Sequence, residues 1–95
     1  MPLNELSPPP LAQRQAAHEI LRVWALEGSS QECSLNTTWQ DPVAWGLLLV
    51  DVARHVARAY ANSGHLNEQQ ALERIWSGFN AERSFHTTDA KQVRG

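Results

Sequence analysis

The sequence predicts a small single-domain α+β fold in the order ββαα, a β-hairpin followed by two α-helices. Three observations predict it. Glu19–Leu26 and Gln31–Asn36 are short runs split by the turn-forming Glu27-Gly28-Ser29-Ser30. Asp41-Pro42 opens a long stretch whose apolar residues recur at helical spacing. Asn67, with Gln70 three residues later, opens a second such stretch.

Residues 1–18 read as an extended or flexible N-terminal arm, in which Leu11–His18 is open to one or two helical turns. Pro8-Pro9-Pro10 fixes φ and removes three backbone donors, so the arm is expected to stay solvated. From Glu19 the pattern becomes that of a strand, with Leu21, Val23 and Ala25 on one face and Ile20, Arg22, Trp24 and Leu26 on the other. A helix is the other reading of Ala16–Leu26, because no proline forbids it. The strand is preferred because the turn and a second short run follow at once, giving a hairpin with a loop of about four residues.

Asp41 suits the N-cap of the first helix, where a carboxylate accepts free N–H groups. Pro42 suits the first helical position, where its missing N–H costs nothing. The helix should run from Pro42 to about Asn62 and stop at Gly64 in the left-handed region. The second should run from Asn67 to about Arg83. The domain then spans residues 19–85, and residues 86–95, without periodicity, read as a disordered tail.

Helical projection gives the first helix one wide stripe of Trp45, Leu48, Leu49, Val52, Val56, Ala59 and Tyr60, which should face the hairpin and the second helix. Val43, Leu47 and Val50 project to another side. They are the candidate interface for a second copy of the chain or another protein, since one hairpin and one helix cannot cover both sides.

Composition narrows the function. With 95 residues, the chain is one small domain at most. Eight Lys+Arg against ten Asp+Glu give a net charge of −2, which argues against phosphate-backbone binding, so no nucleic-acid partner is expected. No apolar run approaches the length of a membrane span, and no signal-peptide pattern opens the chain. The single cysteine, Cys33, excludes an intramolecular disulfide, and a cytoplasmic location is expected.

Chemistry-bearing residues concentrate on the first helix. Asp51 and His55 stand i,i+4, a spacing at which a carboxylate can orient an imidazole for acid–base work. Arg54 and Arg58, one turn apart, can hold a phosphate or carboxylate. These four are the candidate binding residues for a small-molecule or catalytic site at a cleft. As catalysts they would need a nucleophile, and Cys33 is expected instead to be a small buried hydrophobe. His18, His55, His65 and His86 fall in no metal-ligand spacing, and every glycine is isolated, so neither a metal site nor a phosphate loop is read. No cofactor is called for. Trp39 and Trp45 straddle the Asp41 cap, so Trp39 is expected to fold over the helix entry as a hydrophobic staple.

The run Trp39-Gln40-Asp41-Pro42-Val43-Ala44-Trp45-Gly46 continues with Leu48, Asp51, Ala53-Arg54-His55 and Ala57. With Leu21-Arg22-Val23-Trp24 upstream, it resembles a family of small bacterial proteins catalogued as a domain of unknown function. The resemblance runs from Glu19 to Glu82 and implies a soluble protein with a hairpin and two helices; it supplies no activity or catalytic residue. The function expected is that of a non-enzymatic interaction or regulatory module working through an apolar surface. On this reading Leu47→Asp should split a dimer without unfolding the monomer, as sedimentation of both proteins would show.

Overall fold

The computed structural model describes residues 3–85 and the backbone of residues 91–94. The architecture is α+β, and the hairpin and the two helices follow in the expected order. The chain divides into two compact units, residues 1–38 with 90–95 and residues 39–89. That division falls inside the 19–85 segment read above as one domain.

In the first unit, β1 (Leu21–Trp24) pairs antiparallel with β2 (Glu32–Leu35), with Leu21 opposite Leu35 and Val23 opposite Cys33. The strands are shorter than expected and the connection, residues 25–31, is longer than four residues. It holds a turn in which the Ser29 N–H donates to the Leu26 carbonyl, and Gly28 takes φ +82°. A side chain is strained there, which is why the turn uses glycine.

The tail expected to be disordered contributes a third strand, β3 (Lys91–Arg94), parallel to β2, so β2 becomes the middle of a three-stranded sheet. Lys-Gln-Val-Arg has a single apolar residue and no period to read. The ladder is made by backbone groups, which sequence pattern does not report. Residues 86–90 and 95 lie outside the described residues. In the arm, Pro10–Gln13 forms a 3-10 turn after the prolines, in the stretch left open to helical turns.

Between the sheet and the helices, Thr38 sits at φ +61°, a costly place for a β-branched residue. Asn36 holds it there. The Asn36 Oδ1 accepts the Thr38 N–H at 2.9 Å, and the Thr38 hydroxyl donates to the Asn36 carbonyl at 3.0 Å.

In the second unit, α1 (Val43–Ser63) and α2 (Glu68–Ser84) pack on each other. The Asp41 carboxylate accepts the Val43 N–H at 3.0 Å, the bond an N-cap makes to the second helical position, with Pro42 already at φ −58° and ψ −14°. Gly64 ends α1 at φ +85°. A reciprocal capping box opens α2: the Gln70 N–H donates to Asn67 Oδ1 at 2.8 Å, and the Asn67 N–H donates to Gln70 Oε1 at 3.1 Å. Among the described residues no helix is long and apolar enough to cross a membrane.

The buried apolar residues are Ala53, Ala57 and Ala71. Ala53 and Ala57 are four apart on one face of α1, and Val50 and Ala61, both half-buried, extend that face. The face opposed to α2 is therefore the small-residue one. The expectation that the wide stripe of α1 packs inward is corrected: small side chains let the helix axes approach, and on α2 the bulkier Leu72, Ile75 and Trp76 are half-buried.

Asp41→Ala is expected to lower stability by roughly 0.5–2 kcal/mol, because α1 loses the acceptor for a first-turn N–H. Urea unfolding of the two proteins measures it, and an unchanged midpoint would move the cap to another group.

Candidate functional site

Because Ala53 and Ala57 turn toward α2, the large apolar residues of α1 are left facing out. Leu49, Val52, Val56 and Tyr60 are each between 40% and 47% exposed. Leu48, Asp51, Val52, His55, Val56 and Ala59 line a shallow open groove along the helix. Its floor is aliphatic, and its polar members, Asp51 and His55, follow each other one turn apart along one edge. The candidate interface trio is divided: Val43 and Leu47 are 62% and 66% exposed, whereas Val50 is half-buried on the side of Ala53 and Ala57.

The four candidate binding residues all lie on α1 and are all exposed, but they do not gather into one site. His55 Nδ1 lies 2.7 Å from the backbone carbonyl of Asp51. A carbonyl only accepts, so Nδ1 carries the proton and Nε2 is the remaining, basic nitrogen of the neutral ring. The ring is thus oriented by the helix backbone, and no bond to the Asp51 carboxylate is found among the described residues. Arg58 turns to the start of α2, where its Nε lies 3.8 Å from Glu68 Oε1. Both side chains are more than half exposed or close to it, so the pair contributes little. Arg54 is left as a solvated cation beside them. Cys33 belongs to the first unit, half-buried at the centre of β2.

The sequence reading missed Arg22. Its guanidinium donates to Glu19 Oε2 at 3.1 and 3.2 Å and to Glu5 Oε2 at 3.0 Å, tying the arm to β1. The bonds from Glu19, then the charges of Glu19 and Glu5, hold its protonation above the ordinary arginine range. Glu19 was within sight at i,i+3, but nothing in the sequence marks Glu5, 17 residues away. The arm and the start of β1 enclose a concavity lined by Leu6, Pro8, Leu11, His18, Leu21 and Arg22, among others. Its guanidinium is already met by two carboxylates.

At the helix entry, Trp39 and Trp45 meet edge to face, ring centroids 5.7 Å apart and planes at 76°. Trp39 therefore packs on the first turns of α1, as the staple requires. Trp76, Phe79 and Arg83 make a second aromatic step on α2, with Arg83 5.7 Å from the Phe79 ring centroid. Among the described residues no group of three or more His, Cys, Asp or Glu could hold a metal ion.

This hairpin and helix pair, with an open apolar groove on α1, defines the chain as one of a known class. It belongs to the family described as "Domain of unknown function (DUF5076)", whose model matches residues 5–87, more of the chain than the resemblance in the sequence suggested. A solved structure described as that of "a putative pyruvate dehydrogenase from the photosynthetic bacterium Rhodopseudomonas palustrus CGA009" is similar at 41% identity and a TM-score of 0.75; the match covers 100% of this chain and 97% of that one. No curated protein matches.

If the backbone carbonyl positions the imidazole, Asp51→Ala leaves the ring as it is. Nitrogen NMR of His55 should show the proton of the neutral ring on Nδ1 in both proteins. A switch to Nε2 in the variant would return the orienting role to the carboxylate.

Proposed function

We propose that this chain is a non-enzymatic interaction module whose working surface is the apolar stripe of α1, and that the stripe's partner is a second copy of the chain. The observation that carries the reading is the placement of Leu49, Val52, Val56 and Tyr60, beside the half-buried Leu48, along one exposed side of a helix whose small residues are buried. Contiguous apolar area of this kind marks interaction sites.

A second copy is favoured by the edge of the groove. Two helices related by a two-fold axis and packed antiparallel bring the same edge of each together, running in opposite directions. With the imidazole protonated, an edge reading Asp51 then His55 is complementary to its own reverse. A parallel two-fold pair would instead set the two edges on opposite sides of the contact and pair neither residue. One helix stripe covers on the order of half the ~800 Å² per partner of a standard interface, so the association is expected to be weak and reversible.

The description of the similar structure would suggest chemistry on pyruvate. A small carboxylate needs a fixed cation in a place shielded from water. Arg22 is held by Glu19 and Glu5, and Arg54 and Arg58 are exposed on α1, so none of the three is a shielded cation for a free anion. The four α1 candidates face solvent rather than a cleft. The interaction reading therefore has the stronger support.

Sedimentation over a concentration series tests it. Wild type should dimerise with a dissociation constant in the micromolar range. Val52→Asp should abolish this with the helical circular dichroism retained, because a carboxylate is placed in the stripe. Leu47→Asp, on the other side of the helix, should leave the dimer intact; its loss in that variant would return the interface to Val43 and Leu47. A wild-type monomer at several hundred micromolar would overturn the reading.

A further inference from the structure

We infer that His55 makes self-association through the α1 stripe acid-strengthened, by pairing its imidazolium with the Asp51 carboxylate of the partner across the two-fold axis. This rests on the proposed reading of the stripe as a dimer face.

The geometry of the groove supplies the pairing. The residues lining the groove run from Leu48 to Ala59, so a two-fold axis through the middle of the groove passes between positions 53 and 54. The midpoint of Asp51 and His55 is position 53, about half a residue away. An axis that centres the apolar contact therefore also sets His55 opposite the partner's Asp51, and Asp51 opposite the partner's His55, within about one residue, or roughly 1.5 Å of helix rise. Centring the apolar floor and pairing the polar edge are satisfied by one arrangement.

The chemistry of the ring fits this role. Nδ1 is committed to the Asp51 carbonyl of its own helix, a bond that either protonation state can make. Nε2 is left to gain the second proton and to donate it to a carboxylate. Around His55, the charged groups on α1 are Asp51, Arg54 and Arg58, and from α2 Glu68 is engaged with Arg58. Arg54 and Arg58 stand further round the helix from the groove than Asp51 does, and neither lines it. In the antiparallel pair the partner's Arg54 and Arg58 are equally set back, so the group facing the imidazole from the partner is a carboxylate.

The sign follows. Pairing with a carboxylate favours the protonated imidazole, so the dimer binds more protons than two monomers and tightens as the pH falls. The pairs sit at the solvated edge of the contact. At the ~0.2–1 kcal/mol of an exposed pair, two symmetric pairs amount to a roughly two- to thirty-fold tightening.

The test is the dimer dissociation constant by sedimentation at about pH 8, 7 and 5.5 for four full-length proteins: wild type, His55→Gln, Asp51→Asn and Val52→Asp. Wild type should tighten by that factor toward the acid end. His55→Gln and Asp51→Asn should dimerise as wild type does at about pH 8 and show flat profiles. Val52→Asp should stay monomeric at every pH. A wild-type dimer with a flat or inverted profile overturns the role of His55 and leaves the dimer reading standing, as does an unchanged slope in either edge variant. A wild type monomeric at every pH removes the dimer reading and this inference together.

Discussion

The rest of the second unit depends on the approach of two helices through alanine. Ala53 and Ala57 on α1 and Ala71 on α2 are its buried residues, and no large side chain of the described residues is fully buried. Small side chains shorten the distance between the axes, and on α2 the bulkier Leu72, Ile75 and Trp76 are half-buried. Once that face is used, helical geometry fixes the remainder. Val52 and Val56 project well away from Ala53 and Ala57 and must look outward. The exposed stripe is thus a consequence of which face of α1 was small enough to pack.

Local chemistry at the chain's punctuation points limits how the helices can lie. Asp41 and the Trp39–Trp45 pair set where α1 begins, and Gly64 sets where it ends. Three residues later the Asn67–Gln70 box starts α2, so the short connection and the two caps fix where the two helices end and begin. In the first unit Arg22 plays the comparable part, gathering Glu19 and the distant Glu5 onto β1. These are exposed ion pairs of modest worth. They orient the arm more than they stabilise it.

What was legible in the sequence follows from this division. The Asp41 cap, the Gly64 stop and the Asn67–Gln70 box were readable because each bond joins residues within a turn of each other, where residue type alone decides the geometry. The hairpin was readable from alternation and a glycine turn. Three features were not. Lys91–Arg94 has too few apolar residues to mark a strand, and its partner β2 lies far away in sequence. The inward face of α1 was misjudged because hydrophobic projection weighs bulk, and the packing chose smallness. The orientation of His55 was misassigned because at i,i−4 the Asp51 backbone carbonyl and the Asp51 carboxylate are both candidates. Only coordinates separate the two.

The same distinction bears on how the titratable residues of α1 should be understood. An acid–base pair does chemistry when its members are bonded to each other and screened from water by a pocket. Asp51 and His55 meet neither condition: the ring is bonded to backbone, the carboxylate is solvated, and both stand at the margin of an aliphatic groove. Charged groups at the margin of an apolar contact have a different use. They steer register and orientation and make association respond to pH and salt, while the buried floor supplies the affinity. A polar edge that is complementary to its own reverse favours one relative orientation of two copies over its opposite. In a contact as small as a single helix stripe, that preference is a large part of what makes the contact specific.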